Sequence, residues 1–257
     1  MEDITFVFPF ETTSISLTGN KCALHCKHCN KRYLIPMTSL NKFDGRAKSV
    51  LISGGCDGDG VVPILKFKEE IKKIKEDHRV VAHTGLLPPE DADEISELAD
   101  VISFDFIGDD DTIKEVYALE KTVNDFSNSF IALDKHVRTV PHVTIGLHAG
   151  KILGERNAME LLESLGAKTI VFNVLIPTKG TCYELIDPPE IKEVLKILKE
   201  GKDMFSNVYL GCMRPGGRYR RLLDSVAIDI VDRIVMPSRD AIKKVGEYHR
   251  SMECCVL

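Results

Sequence analysis

The chain lacks the marks of export and of membrane insertion. It opens Met1-Glu2-Asp3, without the positive stretch that precedes a secretory apolar core, and no apolar run approaches the ~18 residues of a membrane span. A cytoplasmic location with no membrane partner is therefore expected. A basic surplus is missing too. The formal net charge is −5, which excludes a general nucleic-acid binder, because phosphate contacts need a clustered basic surface. No repeat, low-complexity tract or linker interrupts the sequence, so residues 1–257 are read as a single domain.

What is present is ordinary globular composition, 44% hydrophobic over 257 residues, enough to bury a large core. Short β-branched segments alternate with longer segments of helical period. Strands are predicted at 14–18, 49–53, 79–83, 101–106, 142–147, 169–176, 207–211 and 233–236. Between them Ile64, Phe67, Ile71 and Ile74, then Ala158, Leu161, Leu162 and Leu165, then Ile191, Val194, Leu195 and Leu198 mark helical faces. Eight such β/α pairs predict a complete α/β barrel of the (β/α)8, TIM type, whose chemistry belongs at the carboxyl ends of the strands.

Eight cysteines in a reducing compartment point to metal binding, redox chemistry or burial rather than to disulfides. Cys22, Cys26 and Cys29 follow the first predicted strand in the loop 19–34, with the spacing C-x3-C-x2-C. Three thiolates so spaced can hold one cubane cluster and leave its fourth iron open. With His25 and His28 interspersed, a closed zinc site is the alternative.

This motif resembles that of the radical S-adenosylmethionine (SAM) superfamily, in which a SAM-binding [4Fe-4S] cluster cleaves SAM reductively to a 5′-deoxyadenosyl radical. The resemblance implies the radical SAM barrel fold and extends to other loops. Ser53, Gly54 and Gly55 stand where the superfamily binds the methionyl amino group, with Cys56 in place of the usual acidic residue. Asp105 stands where a polar side chain often meets the ribose, although a strand Asp could equally cap a neighbouring helix. Gly150 and Ile152 resemble a segment under the adenosyl group, and Ile176 an adenine-side loop.

Further cysteines follow strands two and seven, Cys56 and Cys212, and close the sequence, Cys254 and Cys255. A tail at 250–257 folding over the barrel mouth could complete an auxiliary [4Fe-4S] cluster from Cys56, Cys212 and Cys254 or Cys255, with Cys182 least favoured. Inert burial is the alternative. The last four residues also match a prenylation signal, with nothing else to support an anchor.

TGNKCALHCKHCNKRYL, ISGGCDGDGVVP, LGCMRPGG and the cysteine-rich end together resemble the two-component, archaeal-type lipoyl synthases, which are biotin synthase-like in sequence. That resemblance implies a sulfurtransferase inserting sulfur at C6 or C8 of an octanoyl chain, the auxiliary cluster donating the sulfur. The implied partners are an octanoylated lipoyl carrier protein (H protein or lipoyl domain), a second lipoyl synthase component, and ferredoxin or flavodoxin as electron donor. A biotin synthase-like enzyme of a small molecule and a non-catalytic iron-sulfur or zinc carrier are the alternatives. Arg214, Arg218, Arg220 and Arg221 form the densest basic segment, readable as a dock for an acidic carrier, as a solvated helix start or as ligands to a cofactor carboxylate.

Overall fold

The computed structural model describes residues 4–257. Eleven strands form one sheet: β1 (Thr5–Val7), β2 (Thr12–Ser16), β3 (Thr38–Ser39), β4 (Ser49–Ser53), β5 (Arg79–Ala82), β6 (Val101–Asp105), β7 (Thr139–Ile145), β8 (Thr169–Val174), β9 (Asn207–Leu210), β10 (Arg233–Val235) and β11 (His249–Ser251). Every ladder is parallel, so each connection must cross over. Helices Lys68–Asp77, Ala92–Leu98, Val123–His136, Glu155–Ser164, Ile191–Met204, Gly217–Ala227 and Arg239–Val245 supply most crossovers. The expected faces are buried: Ile64, in the 3-10 turn Ile64–Phe67 that precedes the first of these helices, and Ile71, Ala158, Leu162, Val194 and Leu198 are all sealed in the core. Among the described residues no helix is long and apolar enough to cross a membrane.

The sheet order is β11-β1-β10-β9-β8-β7-β6-β5-β4-β2-β3. All eight predicted strands are present, but among the described residues no ladder joins β10 back to β2. The molecule is a parallel α/β half-barrel of eleven strands, which corrects the closed eight-stranded expectation. The reason is local: β1 pairs Phe6 with Ile234 of β10, occupying the edge that β2 would need. The first strand also ends earlier than predicted. Its Ser16 hydroxyl donates to the Gly19 carbonyl at 2.7 Å, and the chain turns out of the sheet there.

The seam is covered by the C-terminal segment. Beyond β11, the Met252 carbonyl accepts the Glu11 amide at 2.9 Å, and the Cys254 amide donates to the Thr12 hydroxyl at 2.8 Å. The tail therefore meets the amino-terminal ends of the strands and does not fold over the mouth as expected. Arg233, first in β10, donates to the carbonyls of Cys255 and Leu257, and Arg138, just before β7, donates to that of Val256 at 2.6 Å. Arg79, first in β5, pairs with Glu253. Between these arginines Cys255 and Val256 insert into an inward layer of Val7, Val81, Val101, Val140, Val171 and Val235, together with Tyr209. That layer buries the apolar side chains of the tail, while the arginines satisfy its carbonyls.

Candidate functional site

The cysteine loop leaves β2 at the carboxyl edge of the sheet. Its turns are fixed by backbone: the Cys29 and Asn30 amides both donate to the Cys26 carbonyl, and Asn30 and Lys31 take positive φ values of 42° and 66°. From outside, the Ala23 amide donates to the Cys56 carbonyl at 2.7 Å, and the Gly55 amide donates to the Thr18 hydroxyl at 2.7 Å. Gly55 is required here by contact, since a Cβ on it would lie 2.0 Å from the Lys21 carbonyl and 2.5 Å from the Cys22 Cβ. The glycine pair thus abuts the loop and sets its position.

Burial pushes the Cys26 thiol up to about 12, with the charges of Cys29 and Cys22 adding to the shift. Burial raises Cys29 as well. Burial thus favours the protonated thiols, and a cationic group beside them would favour the thiolates. Cys22 is held lower, at about 6, chiefly by a hydrogen bond from Cys56. Among the described residues, no three His, Cys, Asp or Glu side chains stand at the spacing of a single-ion site. A cubane gives each thiolate its own iron and spreads its ligands wider.

Beside the loop a cavity of about 430 Å³ runs into the half-barrel. His28 and Tyr33 of the cysteine loop, with Tyr117, wall its upper part, the His28 ring lying 5.2 Å from Tyr117 and 6.2 Å from Tyr33. His28 Nδ1 is buried and has no hydrogen-bond partner, and burial lowers this imidazole to about 4.

Lower down, His83 Nε2 lies 3.0 Å from the Asp105 carboxylate, and His83 Nδ1 3.5 Å from the Ser53 hydroxyl. Burial opposes charge at both partners, but each holds the other ionised. Asp105 is drawn down to about 2, and His83 is raised. His142, donating from Nδ1 to the Val140 carbonyl at 3.1 Å, is lowered by burial to about 4. With Ser103 and Asn173 these groups form a polar belt beside apolar side chains such as Leu51, Val174 and Leu175.

Cys212, Cys254 and Cys255 line the same cavity. Cys56 does not join them. It shares with Cys22 a separate crevice of about 540 Å³ on the other side of the loop, so the expected grouping of Cys56 with Cys212 and the tail is not what the fold brings together. The reason is that Cys56 follows the glycine pair packed against the loop. Cys182 is exposed and lines neither space.

Of the remaining expected contacts, Ser53, Asp105 and Ile176 line the cavity, whereas Gly54, Gly55, Gly150 and Ile152 do not. Gly150 (φ 83°) is instead pressed on the backbone of Asp187. The basic segment also divides. Arg214 is sealed in the interior, while Arg218 and Arg221 are exposed.

Sequence reasoning missed His83, His142 and Asn173. Their signal was available: each is a polar residue in or directly after a largely apolar strand, His83 just beyond β5, His142 in the middle of β7 and Asn173 next to last in β8.

Fold and site together define a parallel α/β half-barrel with a three-cysteine loop at its carboxyl edge. The same architecture is found in methylornithine synthase (PylB), aligned at a TM-score of 0.63 and 10% identity over 96% of this chain and 83% of that one. Native anSMEcpe with bound AdoMet aligns at 0.49, with 15% identity over 77% of this chain and 59% of that one. Phosphonopyruvate hydrolase in complex with oxalate and Mg++ aligns at 0.45, with 13% identity over 93% and 78%. At such identities the likeness is one of fold, and the alignments below 0.5 add nothing to it. No protein-family model matches the sequence, and no curated protein is significantly similar to it.

Proposed function

We propose that the protein is a radical SAM enzyme in which Cys22, Cys26 and Cys29 hold a [4Fe-4S] cluster. The observation that carries this reading is one loop bearing three thiols, two of them raised by burial, whose intervening His28 and following Tyr33 wall the cavity. The fold shared with methylornithine synthase supports it. The donor set fits such a cluster: three thiols for three irons, no fourth cysteine of the loop, and an orphaned buried nitrogen, His28 Nδ1, beside them. When bound, cluster and SAM supply the electron and the adenosyl group that remove hydrogen from an unactivated carbon.

The chain's own residues then have separable tasks. Gly55 holds the loop against the sheet edge. Ser53 and Asp105 offer polar partners to the amino-acid and ribose parts of SAM, with His83 keeping Asp105 ionised and oriented. His28, Tyr33 and Tyr117 wall the space and keep water from a reactive carbon.

At the finer level the enzyme is a sulfurtransferase acting on an octanoyl chain carried by a lipoyl carrier protein. An auxiliary [4Fe-4S] cluster at Cys212, Cys254 and Cys255 donates the sulfur, a second lipoyl synthase component shares the task, and ferredoxin or flavodoxin supplies electrons. Three cysteines lining one cavity below the SAM loop support this reading. A biotin synthase-like reaction on a small polar molecule is the second reading, favoured by the belt of His83, Ser103, His142 and Asn173. Anaerobic turnover with SAM separates them. Sulfur inserted into an octanoyl-lysyl peptide supports the first reading, whereas turnover of dethiobiotin alone replaces it with the second. Absence of 5′-deoxyadenosine under all conditions removes the radical reading and leaves a cluster carrier.

A further inference from the structure

Arg214 is the largest of the fully buried side chains, and it is spent on the turn that carries Cys212. Its Nε and Nη2 bind the two oxygens of Asp224 at 2.8 and 3.0 Å. Nη1 donates to the carbonyls of Gly211 at 2.6 Å and Val235 at 2.8 Å, and Nη2 to that of Met236 at 3.2 Å. The fixed fork of guanidinium donors is thereby fully used, which no lysine could reproduce. Asp224 in turn accepts the Ser238 amide at 2.7 Å.

An ion pair with both side chains fully enclosed does not stabilise a fold better than apolar packing would, but it does specify one arrangement of the backbone it touches. The backbone touched here lies at the ends of β9 and β10. From the opposite side Asn173 Oδ1 accepts the Met213 amide at 3.3 Å, and a Cβ on Gly211 would come within 2.2 Å of that same oxygen. Arg220 adds a bond to the Arg214 carbonyl at 3.0 Å. Residues 211–214 are therefore pinned from both sides, and the turn's two side chains without a hydrogen-bond partner, Cys212 and Met213, line the cavity, where the Cys212 thiol is the reactive one and stands with Cys254 and Cys255.

We infer that the Arg214–Asp224 pair, seconded by Asn173, is a positioning device whose task is to present the Cys212 thiol to the cavity. The inference rests on the proposed reading only for why a thiol should be wanted there; the positioning itself is a property of the empty protein. Arg214 is a positioning residue and touches no reacting atom.

The test is cysteine mapping by mass spectrometry on the cluster-free full chain, using a polymer-linked maleimide too bulky for the cavity. Cys182 and Cys212 are both exposed to water, but Cys212 is so within the cavity, and in wild type the bulky reagent labels Cys182, which lines no cavity, while Cys212, Cys26 and Cys255 are protected. In Arg214→Lys, labelling of Cys212 rises about tenfold or more relative to Cys182, as expected when a charged hydrogen bond holding a local closed state is lost, while Cys26 and Cys255 stay protected. Asn173→Ala, which leaves the ion pair intact, raises Cys212 labelling in the same selective way and serves if Arg214→Lys does not fold. Cys212 remaining protected in folded variants overturns the inference, as does a rise shared equally with Cys26 and Cys255, which reports general loosening. A separate arm addresses the functional reading: after anaerobic reconstitution with iron and sulfide, a small alkylating reagent should spare Cys212. If it does not, the auxiliary site falls while the selective maleimide result still stands.

Discussion

The two ends of the half-barrel are built on opposite principles. At the carboxyl edge, three cysteines fall within eight consecutive residues and their turns are closed by neighbouring backbone. At the amino edge, the seal is assembled from six inward valines of six strands, Tyr209, three arginines at or just before strand starts, and the tail. The first is local and chemical; the second is non-local and apolar. One end is disposed to bind, the other to close, and the cysteines of the tail reach the cavity only because the closing segment carries them there.

The largest separation between the ends should come from deleting residues 252–257. This removes the buried Val256 and Cys255 and strips Arg138 and Arg233 of their carbonyl acceptors. A loss of about 3–5 kcal/mol in urea unfolding is expected, the scale of emptying a large core site. Iron binding at Cys22, Cys26 and Cys29 should survive at low temperature. If stability is unchanged, the tail is no plug.

Gly55→Ala breaks the other end. The added Cβ has nowhere to go between Lys21 and Cys22, so a destabilisation of about 1–3 kcal/mol is expected, with loss of iron from the loop. Gly58→Ala, where a Cβ meets open space, should leave both stability and iron content alone. Equal behaviour of the two variants would deny that Gly55 seats the loop. A finer cut at the base is Val256→Ala, expected to cost about 1–2 kcal/mol in thermal or chemical unfolding without altering iron content.

The smallest effect concerns pH. Asp105 is held at about 2, below its ordinary 3.8, so its contribution is present above that ordinary value and is lost as pH falls toward 2. His83 is raised, so its contribution is complete below about 6.5 and fades as pH climbs through its folded value. The pair therefore stabilises most between about pH 4 and 6.5. In thermal scans, Asp105→Asn should lose most against wild type in that window and least above it. His142, lowered by burial to about 4, works in the opposite sense and destabilises as pH falls below about 6.5. A wild-type minus Asp105→Asn difference that keeps growing as pH rises above about 6.5 would contradict the assignment.

How much of this was legible follows the same division. The cysteine loop could be read because its ligands are neighbours in sequence, and all eight barrel strands because β-branched runs and helical periods recur locally. Closure could not be read. β1 and β11 are three residues each, too short to carry a period, and they decide which edge β10 meets. The tail was expected at the mouth because its cysteines suggested a site there. Its placement was settled by Arg79, Arg138 and Arg233, whose partners lie more than twenty residues away. Arg214 looked like surface charge beside Arg218 and Arg221, and only the position of Asp224 makes it interior. Polar residues in or directly after largely apolar strands, His83, His142 and Asn173, were the readable signal that went unused.

The central claim is that Cys22, Cys26 and Cys29 hold a [4Fe-4S] cluster, with a second one deeper in the cavity. The most direct measurement is iron and sulfide content with Mössbauer spectra of the anaerobically reconstituted protein, wild type against Cys22→Ala/Cys26→Ala/Cys29→Ala. The account predicts about eight irons in wild type and about four in the variant, both as cubane signals. Equal iron in the two proteins would contradict it.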